Sequence, residues 1–323
     1  MRQRLFRVAV SVLLIVAVVA SVDRKALVSA IASLDPLFLL PAVLLIWSTT
    51  FVSAFRWSIV IHSFGLSGTP LPSYWRLWSL FWIGQFFNQL LPSGLGGDGM
   101  RMWLLRNTGL PTGTAVTSVV VDRLIGLIAI VLLVAVTLSF AFDAAVGRQA
   151  PSWFWVVVAV GAVGFGILAG ISAAQSPAVR SANSIVRGVR RLSADFRKLM
   201  LRPRYLAAAL AASITVQMLG AAAVWVVAQS LGVRIGLLSC LALMPIVVLA
   251  TAVPISVAGW GVREVSMIAV LATVGVAKES ALVISVLYGG LAVATSLPAG
   301  ILWLFGRRPV DDRLKTPSIN VAE

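Results

Sequence analysis

The chain has 323 residues, 59% of them hydrophobic, only 11% charged, and a net charge of +15. A water-soluble domain carries about 25% charged residues, so this composition excludes a globular domain that must cover itself with polar surface. The basic excess would point to nucleic acid on a soluble chain, but no nucleic-acid motif accompanies it, and the cations fall between apolar runs as the positive-inside rule expects of membrane proteins.

The N-terminus is basic (Arg2, Arg4, Arg7) and then apolar to Ala20. The apolar run, at about eighteen residues, exceeds the 7–15 residues of a secretory core. It reads as a first membrane span over about 5–22, with cleavage after Ala20 as the alternative. Five further stretches read as full spans, about 37–60, 112–139, 153–173, 205–230 and 279–306. About 20 apolar residues cross the hydrocarbon as a helix. The alternating ten-residue segments of a membrane β-barrel are absent. Residues 73–108 and 237–276 differ: each has an apolar half, a Pro/Gly-rich break and a short second half. Broken segments are tolerated at membrane depth only inside protein or beside a cavity.

Charge decides the threading. If 73–108 crossed once, the loop 174–204, with eight basic residues against Asp195 alone, would lie outside. If 73–108 and 237–276 are re-entrant hairpins, 19 of the 26 Lys/Arg lie in the cytoplasm, six outside, and Arg123 within a span. The second threading obeys the positive-inside rule. The expected fold is therefore an all-α polytopic membrane protein forming a single membrane domain over 1–323. It has six full spans and two re-entrant helical hairpins, in inverted-repeat halves of about 1–150 and 151–310. A short tail, 311–323, and both termini are cytoplasmic.

The two breaks support the division. Pro92, Gly97, Gly99 and Arg101 recur 162 residues later as Pro254, Gly259, Gly261 and Arg263. Thr-Gly-Leu at 108–110 is echoed by Val-Gly-Val at 274–276. Inverted repeats with broken helices characterise secondary transporters, whose substrates bind near the midplane.

The candidate site residues follow. Asn88 precedes Pro92, which stops a helix. Gly96, Gly97 and neighbouring glycines relax the backbone around Asp98. A short helix is expected to start near Met100, and its freed N–H groups with Arg101 form an anion site suited to phosphate. The alternative is a tight turn in which Asp98 and Arg101 satisfy one another. Asp122 and Arg123 sit about 15 Å into their span, where a charge costs about 3 kcal/mol or more and needs a partner. Adjacent residues cannot face each other on a helix, so Asp122 is expected to pair with Arg101 and Arg123 with Asp98. Arg263 and Glu264, after Gly259 and Gly261, open the second short helix as a cap or an outer gate. Arg56, Arg187, Arg190 and Arg191 are assigned to the lipid surface. Ile185, Val189, Leu192, Phe196 and Leu199 form an apolar stripe among basic residues, the pattern of an interfacial helix on anionic lipid. One histidine, His62, and one cysteine, Cys240, leave no basis for a disulfide, a Cys/His metal site or a triad. No cofactor, metal or enzymatic activity is expected.

Taken together, Arg56-Trp57, the run from Asn88 through LeuLeuProSerGlyLeuGlyGlyAspGlyMetArg, Asp122-Arg123, and Pro254…GlyTrpGlyValArgGlu resemble the lysylphosphatidylglycerol synthase transmembrane-region family, the flippase-like domain proteins. The resemblance covers nearly the whole chain. Ala258-Gly259-Trp260-Gly261 departs from the family's usual Gly-Gly-x-Gly. The resemblance implies a bacterial inner-membrane protein that moves an anionic or phosphate-bearing lipid between leaflets, with membrane lipids as partners. It does not imply synthase activity, because no soluble domain follows the last span. The alternative is a non-transporting subunit bound to a partner protein of envelope or lipid-linked glycan biosynthesis.

Overall fold

The computed structural model describes residues 34–66, 70–90, 96–137, 184–252 and 259–305, with isolated positions at 25, 28, 29 and 32. The expected spans at 5–22 and 153–173, both break prolines and the tail lie outside the described residues. Within them, all regular structure is helical: α1 (Leu39–Ser63), α2 (Tyr74–Leu90), α3 (Gly96–Arg106), α4 (Thr112–Val136), α5 (Ser184–Met200), α6 (Pro203–Ser230), α7 (Leu237–Ala252), α8 (Val262–Ala272) and α9 (Lys278–Phe305). Four of these elements, 36–63, 112–136, 203–230 and 278–305, are long and apolar enough to cross a membrane. Their outward residues are apolar: Leu44, Leu132 and Leu302 are about half exposed.

The helix ends follow local chemistry. Asp35 accepts the Leu37 N–H at 3.0 Å and Pro36 starts a single 3-10 turn that leads into α1. Proline also opens α6. Gly109 and Gly275 close α3 and α8 at φ 95° and 78°, a left-handed conformation that disfavours any side chain. Gly65 and Gly232 close α1 and α6 in the same way. Helix closures therefore recur at offsets of 166 and 167 residues.

The order long helix, short hairpin, long helix occurs twice, as α1 to α4 and as α6 to α9. Packing respects the same exchange. α1 lies on α6, α2 packs on α9 as α7 packs on α4, and α1 meets α9 as α6 meets α4. α1 and α6 run antiparallel: Asp35 N–H bonds the Ser230 carbonyl, and Arg56 bonds Ser213.

Directions define the hairpins. α3 returns beside α2, with Gly97 against Asn88 and Arg101 against Gly84. Ile61, Leu77, Leu105, Leu110 and Ala115 then share one apolar cluster, so the hairpin leaves at the end where it entered. In the second half Leu231, Ile235, Cys240, Leu271, Val276 and Ala281 do the same. Because Ser230 sits beside Asp35, at the start of α1, the two hairpin bases lie at opposite ends of the α1/α6 pair.

The basic helix α5 departs from expectation. Phe196 and Leu199 are buried against Val60, Ile125 and Ala209, so α1, α4 and α6 cover much of the apolar stripe expected to lie on lipid. Asp195 anchors it, accepting from Thr117 at 2.9 Å and Lys198 at 3.0 Å. Val189, at the open end of the stripe, is 47% exposed. A stripe at helical spacing cannot distinguish a protein groove from a lipid surface, because both are apolar.

Candidate functional site

A chain of five charges links the first hairpin to α1 and α4. Asp122 on α4 is fully buried and accepts from Arg56 Nε at 2.8 Å and Arg101 Nη2 at 3.0 Å. Asp98, in the first turn of α3, accepts from Arg123 Nε at 2.8 Å and Nη2 at 2.9 Å. Arg101 Nη1 lies 3.5 Å from Asp98 and joins the two pairs. Both pairings expected from the helix geometry are present, and so is the local Asp98–Arg101 contact. Three guanidiniums against two carboxylates leave the chain with one excess positive charge.

Its surroundings explain how it stands in an apolar medium. The Arg101 guanidinium lies over the rings of Trp57 at 4.2 Å and Phe81 at 4.4 Å, which offer their negative faces to a cation. Trp57 is itself held by an indole hydrogen bond to Ser118 at 3.2 Å. Space comes from glycine. A Cβ on Gly84 would strike the Arg101 side chain, and one on Gly126 would press on Arg56. Gly97 donates to Asn88 Oδ1 at 2.9 Å, and any side chain there would meet the Gly84 carbonyl. Gly97 thus serves close approach of α2 and α3 and stays helical, instead of relaxing a turn. Gly96 opens α3, four residues before the expected start at Met100.

Arg56 corrects its assignment. It is not a surface cation beside lipid: its side chain is 11% exposed and donates to Asp122 and, at 3.2 Å, to Ser213 on α6. The network therefore joins α1, α3 and α4 to the other half of the molecule. An arginine near the end of an apolar run looks like a snorkelling residue in sequence. Only Asp122, an acid needing cations, signalled otherwise. Arg191 is also partly docked, donating to Thr114 Oγ1 at 2.7 Å, while Arg187 is exposed and Arg190 half-buried.

Burial is uneven along the chain. The side chains of Asp98, Arg101 and Asp122 are nearly sealed, but that of Arg123 is 49% exposed. Asp98 occupies its Nε and Nη2 edge. Arg123 is the most exposed acid-paired arginine at the end of this network.

The second hairpin holds a smaller arrangement. Gly259 and Gly261 have φ of 83° and 87°. Glu264 is buried, accepts the Gly261 N–H in a capping box, and takes Arg263 Nη2 at 2.8 Å. Ser285 on α9 donates to the same carboxylate at 3.3 Å. Arg263 lies over Trp260 at 4.4 Å and fills the space that Gly289 leaves empty. Trp260 lies 162 residues after Asp98, and Tyr288 and Gly289 lie 166 residues after Asp122 and Arg123. Arg263 thus meets one aromatic face and the acid of its own chain neighbour, where Arg101 meets two aromatic faces and two acids.

A comparison with curated proteins finds no match. The model of one family, described as the lysylphosphatidylglycerol synthase TM region, matches residues 4–300, which contain every charged residue of both hairpins. The apolar helices, the two broken hairpins and this match agree: the chain is a membrane protein and belongs to the lysylphosphatidylglycerol synthase TM region family.

Proposed function

We propose that the protein is a flippase-like transporter that moves an anionic or phosphate-bearing lipid between leaflets of a bacterial inner membrane. The observation that carries this reading is the half-exposed side chain of Arg123, at the end of a buried network bearing one excess positive charge. A phosphate at Arg123 would neutralise that excess with charge-assisted hydrogen bonds. The halves act as inverted repeats, each hairpin re-entering the bilayer from its own side, with both termini in the cytoplasm. Arg56–Ser213 ties the halves at the network, so rocking of one half against the other would strain or break that contact. Arg263 and Glu264 serve the opposite face. The family match supports a flippase-like type of membrane protein.

The test is reconstitution of the full chain in liposomes with headgroup-labelled lipid and a quencher confined to one side. Protein-dependent exposure of the label, lost in Arg101→Ala, supports transport. Folded protein that leaves the label where it was sinks it. That result would favour a second reading, a non-transporting subunit bound to a partner of an envelope or lipid-linked glycan pathway. The near-complete sealing of Asp98, Arg101 and Asp122 is what that reading would explain, as a purely structural clasp.

A further inference from the structure

A cavity of about 150 Å³ opens between α4, α6 and α7, lined by Leu133, Ile214, Met218, Leu241 and Ala242, with Thr137 and Gln217 as polar members. Ile214 is 37% and Met218 48% exposed, so the groove opens sideways along the helices. Its position relative to the ion network is informative. On α4, Asp122, Gly126, Ala129, Leu133 and Thr137 follow one another at three- and four-residue steps and share one face. On α6, Gln217 stands one turn beyond Ser213. Since α4 and α6 both run antiparallel to α1, the two faces climb together from the Arg56 guanidinium, which touches Ser213 and lies against Gly126. Seven residues of helix separate Gly126 from Leu133, about 10 Å.

The other half shows what a closed version looks like. Exchange of the halves maps α4, α6 and α7 onto α9, α1 and α2. There the corresponding space is filled by the protein's own rings. Trp78 stacks on Phe51 at 4.5 Å and on Trp82 at 5.0 Å, Trp47 sits edge-on to Phe51, and Trp82 bonds the Thr295 carbonyl. At the 167-residue offset set by Gly65 and Gly232, Ile214 and Met218 replace Trp47 and Phe51. The aromatic fill is missing on one side only.

We propose that this groove holds one acyl chain of a membrane lipid whose anionic headgroup lies toward Arg56 and the Arg123 end of the network. A cationic corner about 10 Å from an apolar slot open to the membrane fits an amphiphile with a negative head and an alkyl tail. The headgroup part rests on the proposed transport reading. The tail slot does not.

The test is photo-crosslinking of the full chain reconstituted with phosphatidylglycerol or phosphatidylcholine carrying a diazirine in one acyl chain, with adducts mapped by mass spectrometry. Adducts on Leu133, Met218 and Leu241 are expected at least tenfold above those on Leu302 of α9, which bulk lipid already wets. Ala242→Trp should cut the groove adducts at least fivefold and leave Leu302 unchanged. Equal yields at groove and reference would overturn the proposal. So would an unmodified groove in which Met218→Cys crosslinks to a second copy or to another segment of this chain. A preference for the phosphatidylglycerol probe, lost in Arg56→Gln, supports the headgroup placement. Groove adducts with no headgroup preference would overturn that placement alone, and loss of lipid movement with adducts intact would count against the transport reading alone.

Discussion

The two hairpins share a scaffold and differ in how their charge is held. In the second, Arg263 meets Glu264, its own chain neighbour, and that acid also caps α8. The arrangement is built almost wholly within one turn, with Ser285 as outside help. In the first, no acid is satisfied by a neighbour alone: Asp122 draws on residues 66 and 21 positions away, and Asp98 on one 25 positions away. Local charge closes a helix end. Distributed charge holds four helices and two halves in one relation, and a ligand that competes for it acts on all of them. That is why the functional reading rests on the first hairpin.

The sharpest way to break this contrast is Asp122→Ala, which leaves Arg56 without its acid and Arg101 with Asp98 alone, at 3.5 Å. Removing one partner of a buried ion pair costs about 3–5 kcal/mol. The folded yield and the thermal midpoint in detergent should both fall steeply. An unchanged midpoint would mean the network holds nothing together. In the second hairpin Glu264→Ala removes a cap and the partner of Arg263. Arg263 keeps Ser285 and the Trp260 ring, so about 3 kcal/mol is expected, the low end for removing one partner of a buried pair, and less than for Asp122→Ala, which strips two arginines of an acid. A reversal of that order, measured in the same detergent, would invert the comparison. Next comes Gly97→Ala, whose methyl must push the Gly84 carbonyl and Asn88 aside. Overpacking of this kind costs about 1–3 kcal/mol. Gly99→Ala, with nothing within 4 Å of its added methyl, is the control. It should be neutral or stabilising by up to about 1 kcal/mol, as glycine-to-alanine changes in helices are. The smallest effect belongs to Lys198→Ala on α5. Its partner Asp195 keeps Thr117, and the lysine side chain is 49% exposed. A shift within about 1 kcal/mol is expected.

Much of this was legible in sequence because insertion into a membrane punishes unpaired charge. Asp122 and Arg123 in an apolar run demanded partners, and helix periodicity sent them to Arg101 and Asp98. Gly109 and Gly275 were visible only as an echo between two segments; their role in ending α3 and α8 came from a backbone that few other residues adopt. Charge and the Pro/Gly breaks pointed to two short helical hairpins, and α2/α3 and α7/α8 pack as such pairs. What stayed hidden was whether an apolar or basic face meets lipid or protein. Arg56 and the stripe of α5 were both read as surface features, yet Arg56 is drawn inward by Asp122 and Phe196 by the α1/α4/α6 groove. The start of α3 was misplaced because Gly96 and Gly97 read as loop formers. Here they are helical, and at Gly97 the missing side chain lets α2 approach.

The most direct test of the central claim is leaflet-resolved lipid movement in liposomes by wild type and Arg123→Gln, compared at matched thermal midpoints. Arg123 is the half-exposed member of the network, and Asp98 keeps Arg101 at 3.5 Å when it is removed, so folding should persist. Wild type should move a phosphatidylglycerol probe, and the rate should fall at least tenfold in the variant, a loss equivalent to about 1.4 kcal/mol or more of barrier. Equal rates in the two proteins, or no movement by folded wild type, would contradict that claim.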